Sequence, residues 1–166
     1  MPGSAKLRHL APWLAATAGI VLADQATKLV VLAKFFPGES MPVTAFFDLV
    51  LVFNKGAAFS FLASAGGWQR PVLIGVSLVA IAIVSFMLWR NPSRPLLQAG
   101  LTLILGGAIG NLIDRVAYGQ VVDFLLFHAY GWSYPAFNVA DSAITVGAGM
   151  LIVESFMAHE PAKEGA

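Results

Sequence analysis

The chain contains no cysteine. That excludes disulfides, thiolate metal sites and a cysteine nucleophile, and it leaves the redox compartment open. Charge is scarce as well. Asp, Glu, Lys and Arg make up only 11% of the 166 residues, against about 25% in an ordinary soluble domain. Ten basic and nine acidic residues leave a net charge of +1, so no basic field favours nucleic acid as a partner. What fills the chain is apolar, 58% of it. A water-soluble fold of this size cannot hide so much apolar surface in one core, so the bilayer is its natural solvent.

Four apolar stretches, about 10–33, 71–89, 96–113 and 136–157, reach the roughly 20 helical residues that a hydrocarbon core requires. All four are expected to be helices, because open strands cannot satisfy their backbone groups in lipid. Lys6 and Arg8 precede the first run, and Ala16-Thr17-Ala18 resembles a signal-peptide cleavage site. The run continues well past Ala18, however, and holds Asp24, Gln25 and Lys28, so it reads as a retained span. Four spans put both termini on one side. Lys6, Arg8, Arg90, Arg94 and Lys163 lie on that side, against Lys34, Lys55, Arg70 and Arg115 on the other. This slight excess places the termini in the cytoplasm.

Segments 34–70 and 114–135 are then extracytoplasmic, and neither is of low complexity. Phe46 to Phe53 is a β-type run closed by the turn signal Asn54-Lys55-Gly56. The following AAFSFLASAGGW, residues 57–68, is too short to span and suits an interfacial helix anchored by Trp68. The expected fold is a single all-α membrane domain over residues 1–166. It has four transmembrane helices, a small extracytoplasmic β platform and an interfacial helix.

Polar groups inside spans are expensive, and they are where function concentrates. Asp24 and Lys28 are four apart, acid first, and read as a local ion pair near the outer end with Lys28 snorkelling to the interface. The third span ends in LGGAIGNLIDR, where Gly106 and Gly110 permit close helix approach. Asp114 and Arg115 read as a mutual pair at the helix end, positioning a loop or holding a substrate carbonyl, with Asn111 beside them. Asp123 and Asp141 have no Lys or Arg at helical spacing; Asp141 has only the neutral Asn138 and Thr145 nearby. If the third and fourth spans bring the two acids together, they share a proton. One then activates water and the other protonates the leaving amine, with no cofactor.

Other chemistries are less well served. HExxH and GxSxG are absent, and His9, His128 and His159 are scattered. Asp123 with His128 is a poor metal pair, since further ligands of suitable spacing are missing. Ser60, Ser133 and Ser142 have only His128 as a conceivable base, and no Lys-Ser/Thr follows the glycine pairs. Phe46, Phe47, Phe59 and Phe61 read as interface cover. The residues alone leave three functions open: a peptidase, a proton-coupled carrier using the same acids, and an assembly subunit docking through its glycine faces. A carrier would place its acids near the midplane on interrupted helices, and neither feature is present.

DQATK, NKGAAFSF, GGAIGNLIDR, VVDF and FNVADSAI occur in this order between Asp24 and Gly147. Together they resemble the lipoprotein signal peptidase (signal peptidase II) family. The resemblance implies a bacterial inner-membrane aspartyl endopeptidase with its site near the periplasmic face. It further implies prolipoprotein substrates already carrying diacylglycerol, cut just before the lipidated cysteine. Asp123 and Asp141 match the family's catalytic dyad. Asp24, Lys28, Asn54, Gly56, Asn111, Asp114, Arg115, Asn138 and Ala140 match positions that support or line the site. Also implied are membrane lipid as a partner and inhibition by globomycin-type peptides. The acid pair needs no cofactor and no metal, and a complete site in one chain allows a monomer while leaving the oligomeric state open.

Overall fold

The computed structural model describes residues 2–56 and 68–157. Among the described residues four helices are long and apolar enough to cross a membrane: α1 (Pro2–Lys34), α2 (Gln69–Arg90), α3 (Pro95–Ala117) and α4 (Val139–Met157). They carry β1 (Ser40–Thr44) and β2 (Phe47–Asn54) after α1, and β3 (Val121–Ala129) and β4 (Trp132–Ser133) after α3. These form one antiparallel sheet in the order β1-β2-β3-β4. The β run read from the sequence is β2. The interfacial helix expected over 57–68 lies outside the described residues except for Trp68, which is exposed.

Helix α3 is the axis of the bundle and the most buried of the four spans, while α2 leaves most of its apolar side chains uncovered, as lipid permits. Apolar burial gives little drive between helices in a bilayer, so close packing must supply it. Glycines make that possible. A Cβ on Gly106 would strike Ile20 of α1, and one on Gly107 would strike the Ala140 carbonyl of α4. Gly100 and Gly147 face each other across α3 and α4 in the same way.

Two boundaries next to the polar residues differ from the sequence reading. Helix α3 continues to Ala117, so Asp114 and Arg115 lie inside it, not in the outer segment. Helix α4 begins at Val139 because the residues before it pair with the sheet. Phe137 N–H donates to the Leu125 carbonyl at 3.0 Å, and the Phe124 and Leu125 N–H groups both donate to the Phe137 carbonyl. One apolar cluster, including Leu88, Leu97 and Leu101, fills the half of the bundle near the termini. A second, of Val31, Leu51, Val122 and Phe124, lies beneath the sheet. The polar residues of the spans gather next to this second cluster.

Candidate active site

Lys28 is the centre of the polar assembly. It is 2% exposed, with Nζ 2.8 Å from Asp24 Oδ2 and 2.8 Å from Asp114 Oδ2. The local pair with Asp24 is present, but Lys28 does not snorkel to the interface: a second buried carboxylate holds it inside. Asp114 consequently pairs with Lys28 and not with Arg115, correcting the expectation drawn from their adjacency. Consecutive helical residues point about 100° apart and do not face each other. Gln25, which the sequence reading did not assign to the site, joins the two acids. Its Nε2 donates to Asp24 Oδ2 at 3.1 Å, to Asp114 Oδ1 at 3.0 Å and to the Gly110 carbonyl. Gly110 leaves room for this, since a Cβ there would sit 2.5 Å from Asp24 Oδ2.

Each buried acid also grips the backbone of another element. Asp24 Oδ1 accepts the N–H of Ala140 at 2.9 Å, in the first turn of α4. Asp114 Oδ2 accepts the N–H of Val122 at 3.0 Å, at the start of β3. The two strands of chain that carry Asp123 and Asp141 are thus fixed from α1 and α3. Both tethers are charge-assisted hydrogen bonds, which are roughly twice as strong as neutral ones.

The aspartates themselves are aimed by two asparagines. Asn138 caps α4: its Oδ1 accepts the Asp141 N–H at 2.9 Å, while Asp141 Oδ2 accepts the Asn138 N–H at 3.3 Å. This reciprocal arrangement is a capping box with Asp in the place of the usual Glu or Gln. With Oδ1 engaged, Asn138 turns Nδ2 to Asp123 Oδ1 at 2.7 Å and to the Val122 carbonyl at 3.2 Å. Asn111 is ordered by the same logic. Its Oδ1 accepts from Lys28 Nζ and from Asn138 Nδ2, both at 3.2 Å, so its Nδ2 must face Asp141 Oδ1, at 2.7 Å. Each aspartate receives a short amide hydrogen bond, and the two amides touch.

Asp123 lies opposite Val52 of β2, beside a bulge between Leu49 and Val52. Bulges of this kind re-aim side chains near functional sites. The Asn54 side chain also hydrogen-bonds Asp123. Burial, followed by the charge of Asp141, pushes the Asp123 carboxyl up to about 7 against these hydrogen bonds. A carboxyl that still holds its proton near neutrality can serve as a general acid. Gly56 closes the β2 end, with its N–H on Asn54 Oδ1 at 2.9 Å and its carbonyl receiving Arg115 Nη2 at 3.4 Å. Arg115, freed from Asp114, lies within electrostatic range of Asp141 and Asp123.

Asp123, Asp141, Asn54, Asn111 and Arg115 line one end of a cavity of about 460 Å³. Its remaining wall is mostly apolar, from Leu73, Val76 and Ala80 of α2, Ile104 and Ala108 of α3, and Ile144 of α4. Tyr134 and Phe137 close it toward the sheet. All eleven residues singled out by the sequence therefore fall in one connected assembly; Asp24, Lys28, Asp114, Asn138, Ala140 and Gly56 stand behind the cavity wall. His128 does not join Asp123 as a metal pair: its Nε2 meets Asp48 Oδ1 at 2.9 Å. Among the described residues no three His, Asp or Glu side chains converge as ligands. Gln25 was detectable as a polar residue in a span, but nothing in the sequence showed which face it served.

The sequence profile of signal peptidase (SPase) II matches residues 16–157. A lipoprotein signal peptidase of Paraburkholderia phytofirmans is 51% identical over 151 residues, covering 91% of this chain and 88% of that protein. One from Cupriavidus necator is 55% identical over 142 residues, covering 86% and 81% respectively. Among solved structures, a bacterial membrane enzyme determined by the in meso method at 2.3 Å superposes with a TM-score of 0.84. It is 26% identical in sequence, with 95% of this chain and 94% of the other covered.

Proposed function

The chain belongs to the signal peptidase II family, and from that premise we propose that Asp123 and Asp141 are the catalytic dyad of a membrane aspartyl endopeptidase. The enzyme removes signal peptides from prolipoproteins. The observation that carries the dyad is the presence of both aspartates in the lining of one cavity, each held by an asparagine amide, with the charge of Asp141 acting on Asp123.

The chemistry follows from the asymmetry of the pair. One aspartate, ionised, takes a proton from water as that water attacks the scissile carbonyl. The other, protonated, gives its proton to the departing amine. Burial and the charge of Asp141 favour the protonated form of Asp123, so the pair begins with one proton available to the leaving amine. Asn54 and Arg115 in the cavity lining offer donors to the peptide carbonyls. The supporting roles of Asp24, Lys28, Asn111, Asp114, Asn138 and Ala140 are to hold the two aspartates in place.

The apolar extension of the cavity between α2 and α4 fits a lipid chain better than a peptide side chain. Diacylglyceryl-modified prolipoproteins are therefore the proposed substrates, with cleavage just before the lipidated cysteine. The enzyme sits in the bacterial inner membrane with both termini cytoplasmic and the dyad near the periplasmic face. The grouping of the site residues within one chain allows a monomer, and globomycin-type peptides block the dyad.

The test is cleavage by the purified protein in detergent of a prolipoprotein with and without its diacylglyceryl group. Only the modified form should be cut. Asp123→Asn and Asp141→Asn should each lower the rate by at least about a hundredfold, the lower end of the effect of general acid–base catalysis. Cleavage at the normal rate by either variant would remove that residue from the dyad.

A further inference from the structure

Arg70 lies outside the cavity, in the first turn of α2, yet it reaches across to the end of α3. Its Nε donates to the Arg115 carbonyl at 3.1 Å and its Nη2 to the Val116 carbonyl at 3.0 Å. These carbonyls belong to the last turn of α3, where the helix supplies no partners of its own. A guanidinium suits that place, since its forked donors take two carbonyls at once and its charge opposes the negative end of the helix dipole.

The same guanidinium packs against the turn that follows. Gly119 has φ +73°, and a Cβ there would lie 3.4 Å from Arg70 Cζ, Nε and Nη1. The opposite side of this turn is held by Asp114, whose carbonyl accepts the Tyr118 N–H at 2.7 Å and whose carboxylate accepts the Val122 N–H at 3.0 Å. Asp123 is the next residue. The link from α3 to β3 is therefore clamped from inside by Asp114 and from outside by Arg70.

We propose that Arg70 is a positioning residue: by fastening the end of α3 and the Gly119 turn, it fixes the point from which β3 aims Asp123 into the cavity. This rests on the reading of Asp123 as one of the catalytic acids. Arg70 is exposed, and exposed charges contribute little to global stability. Its effect should appear in the chemical step, where small misplacements are costly.

The experiment compares Arg70→Gln and Arg70→Lys in the full-length protein in detergent. Arg70→Gln should lower kcat about tenfold and leave KM within about twofold. Arg70→Lys, which keeps the charge but loses the fork, should recover part of the rate. Hydrogen–deuterium exchange of residues 117–123 should be faster in Arg70→Gln than in the unaltered protein. Gly119→Ala should slow catalysis too, and the double variant should lose less than the product of the two single effects. An unchanged kcat, unchanged exchange, fully multiplicative effects, or a loss confined to KM would each overturn the proposal. If Arg70→Gln fails to fold, Arg70→Lys carries the same measurements. The exchange readout is independent of the dyad, so an active Asp123→Asn would refute the dyad while leaving the clamp itself measurable.

Discussion

An Asn at position 123 keeps the size of the carboxyl and an acceptor for the Asn138 amide, but it cannot ionise. The side chain is 2% exposed and its carboxyl is pushed up to about 7, by burial first and Asp141 second. In the unfolded chain the same group releases its proton near its ordinary 3.8. Between these values the folded state binds the extra proton, so stability falls as pH rises through the interval and levels off above about 7. At ~1.36 kcal/mol per decade of acidity, the full interval from 3.8 to about 7 corresponds to ~4 kcal/mol. By pH 5 only ~1.6 kcal/mol of that has been lost, so about 3 kcal/mol separates pH 5 from pH 8. Asp123→Asn escapes this loss. It should unfold at a temperature higher than the unaltered protein by up to about 10 °C at pH 8, and by much less at pH 5. Thermal unfolding followed by tryptophan fluorescence in detergent micelles, at intervals from pH 5 to 8.5, measures it. A variant no more stable at pH 8 than the unaltered protein, or an advantage independent of pH, would show that Asp123 is not held protonated by its surroundings.

The remaining predictions concern the frame around Asp123 and Asp141. Lys28→Met leaves Asp24 and Asp114 buried without their cation, and should lower stability by about 3–5 kcal/mol in the same unfolding assay. Adding Asp24→Asn and Asp114→Asn should restore part of that stability but not the cleavage rate, because Asn111 then loses the cation that orients it. Gly107→Val drives a branched side chain into the Ala140 carbonyl, and should separate α3 from α4, lowering both unfolding temperature and activity; Ala108→Val, on the cavity wall, should spare stability and alter activity alone. On the sheet, hydrogen bonds from His128 first, then Ser40, hold the Asp48 carboxyl below its ordinary range. That contribution is present above the ordinary carboxylate value and is lost as pH falls through the lowered one. Asp48→Asn should accordingly be less stable at neutral pH, with the difference closing in strong acid; a constant difference would refute the linkage.

Much of this was legible in the sequence because the bilayer imposes simple rules. Length and apolarity were enough to locate four spans, and the absence of a nearby cation was enough to make Asp123 and Asp141 conspicuous. The partners of Asp114 were not legible. Its adjacency to Arg115 suggested a pair, whereas Lys28, eighty-six positions earlier in number, is what α1–α3 packing brings to it. The same holds for the strand pairing of Phe137 with Leu125, which shortens α4 at its start. The Asn138–Asp141 spacing was visible, but its meaning as a helix cap depended on knowing where that helix begins. Arg70 was seen only as a charge in a loop, because its carbonyl partners belong to another helix.

The ion pair between Asp24 and Lys28 has a consequence for how the protein is made. Both residues leave the ribosome together, long before Asp114 exists. A lone Lys raises the free energy of insertion by up to roughly 2.5–3.5 kcal/mol at the centre of a span, and by less toward its end. With its acid one turn behind, at 2.8 Å, this stretch of the first helix can enter the lipid without net charge. When the third helix arrives, Asp114 and Asn111 find a cation already in place at the correct depth. The order of synthesis thus turns a local charge pair into the seat on which the later half of the enzyme assembles.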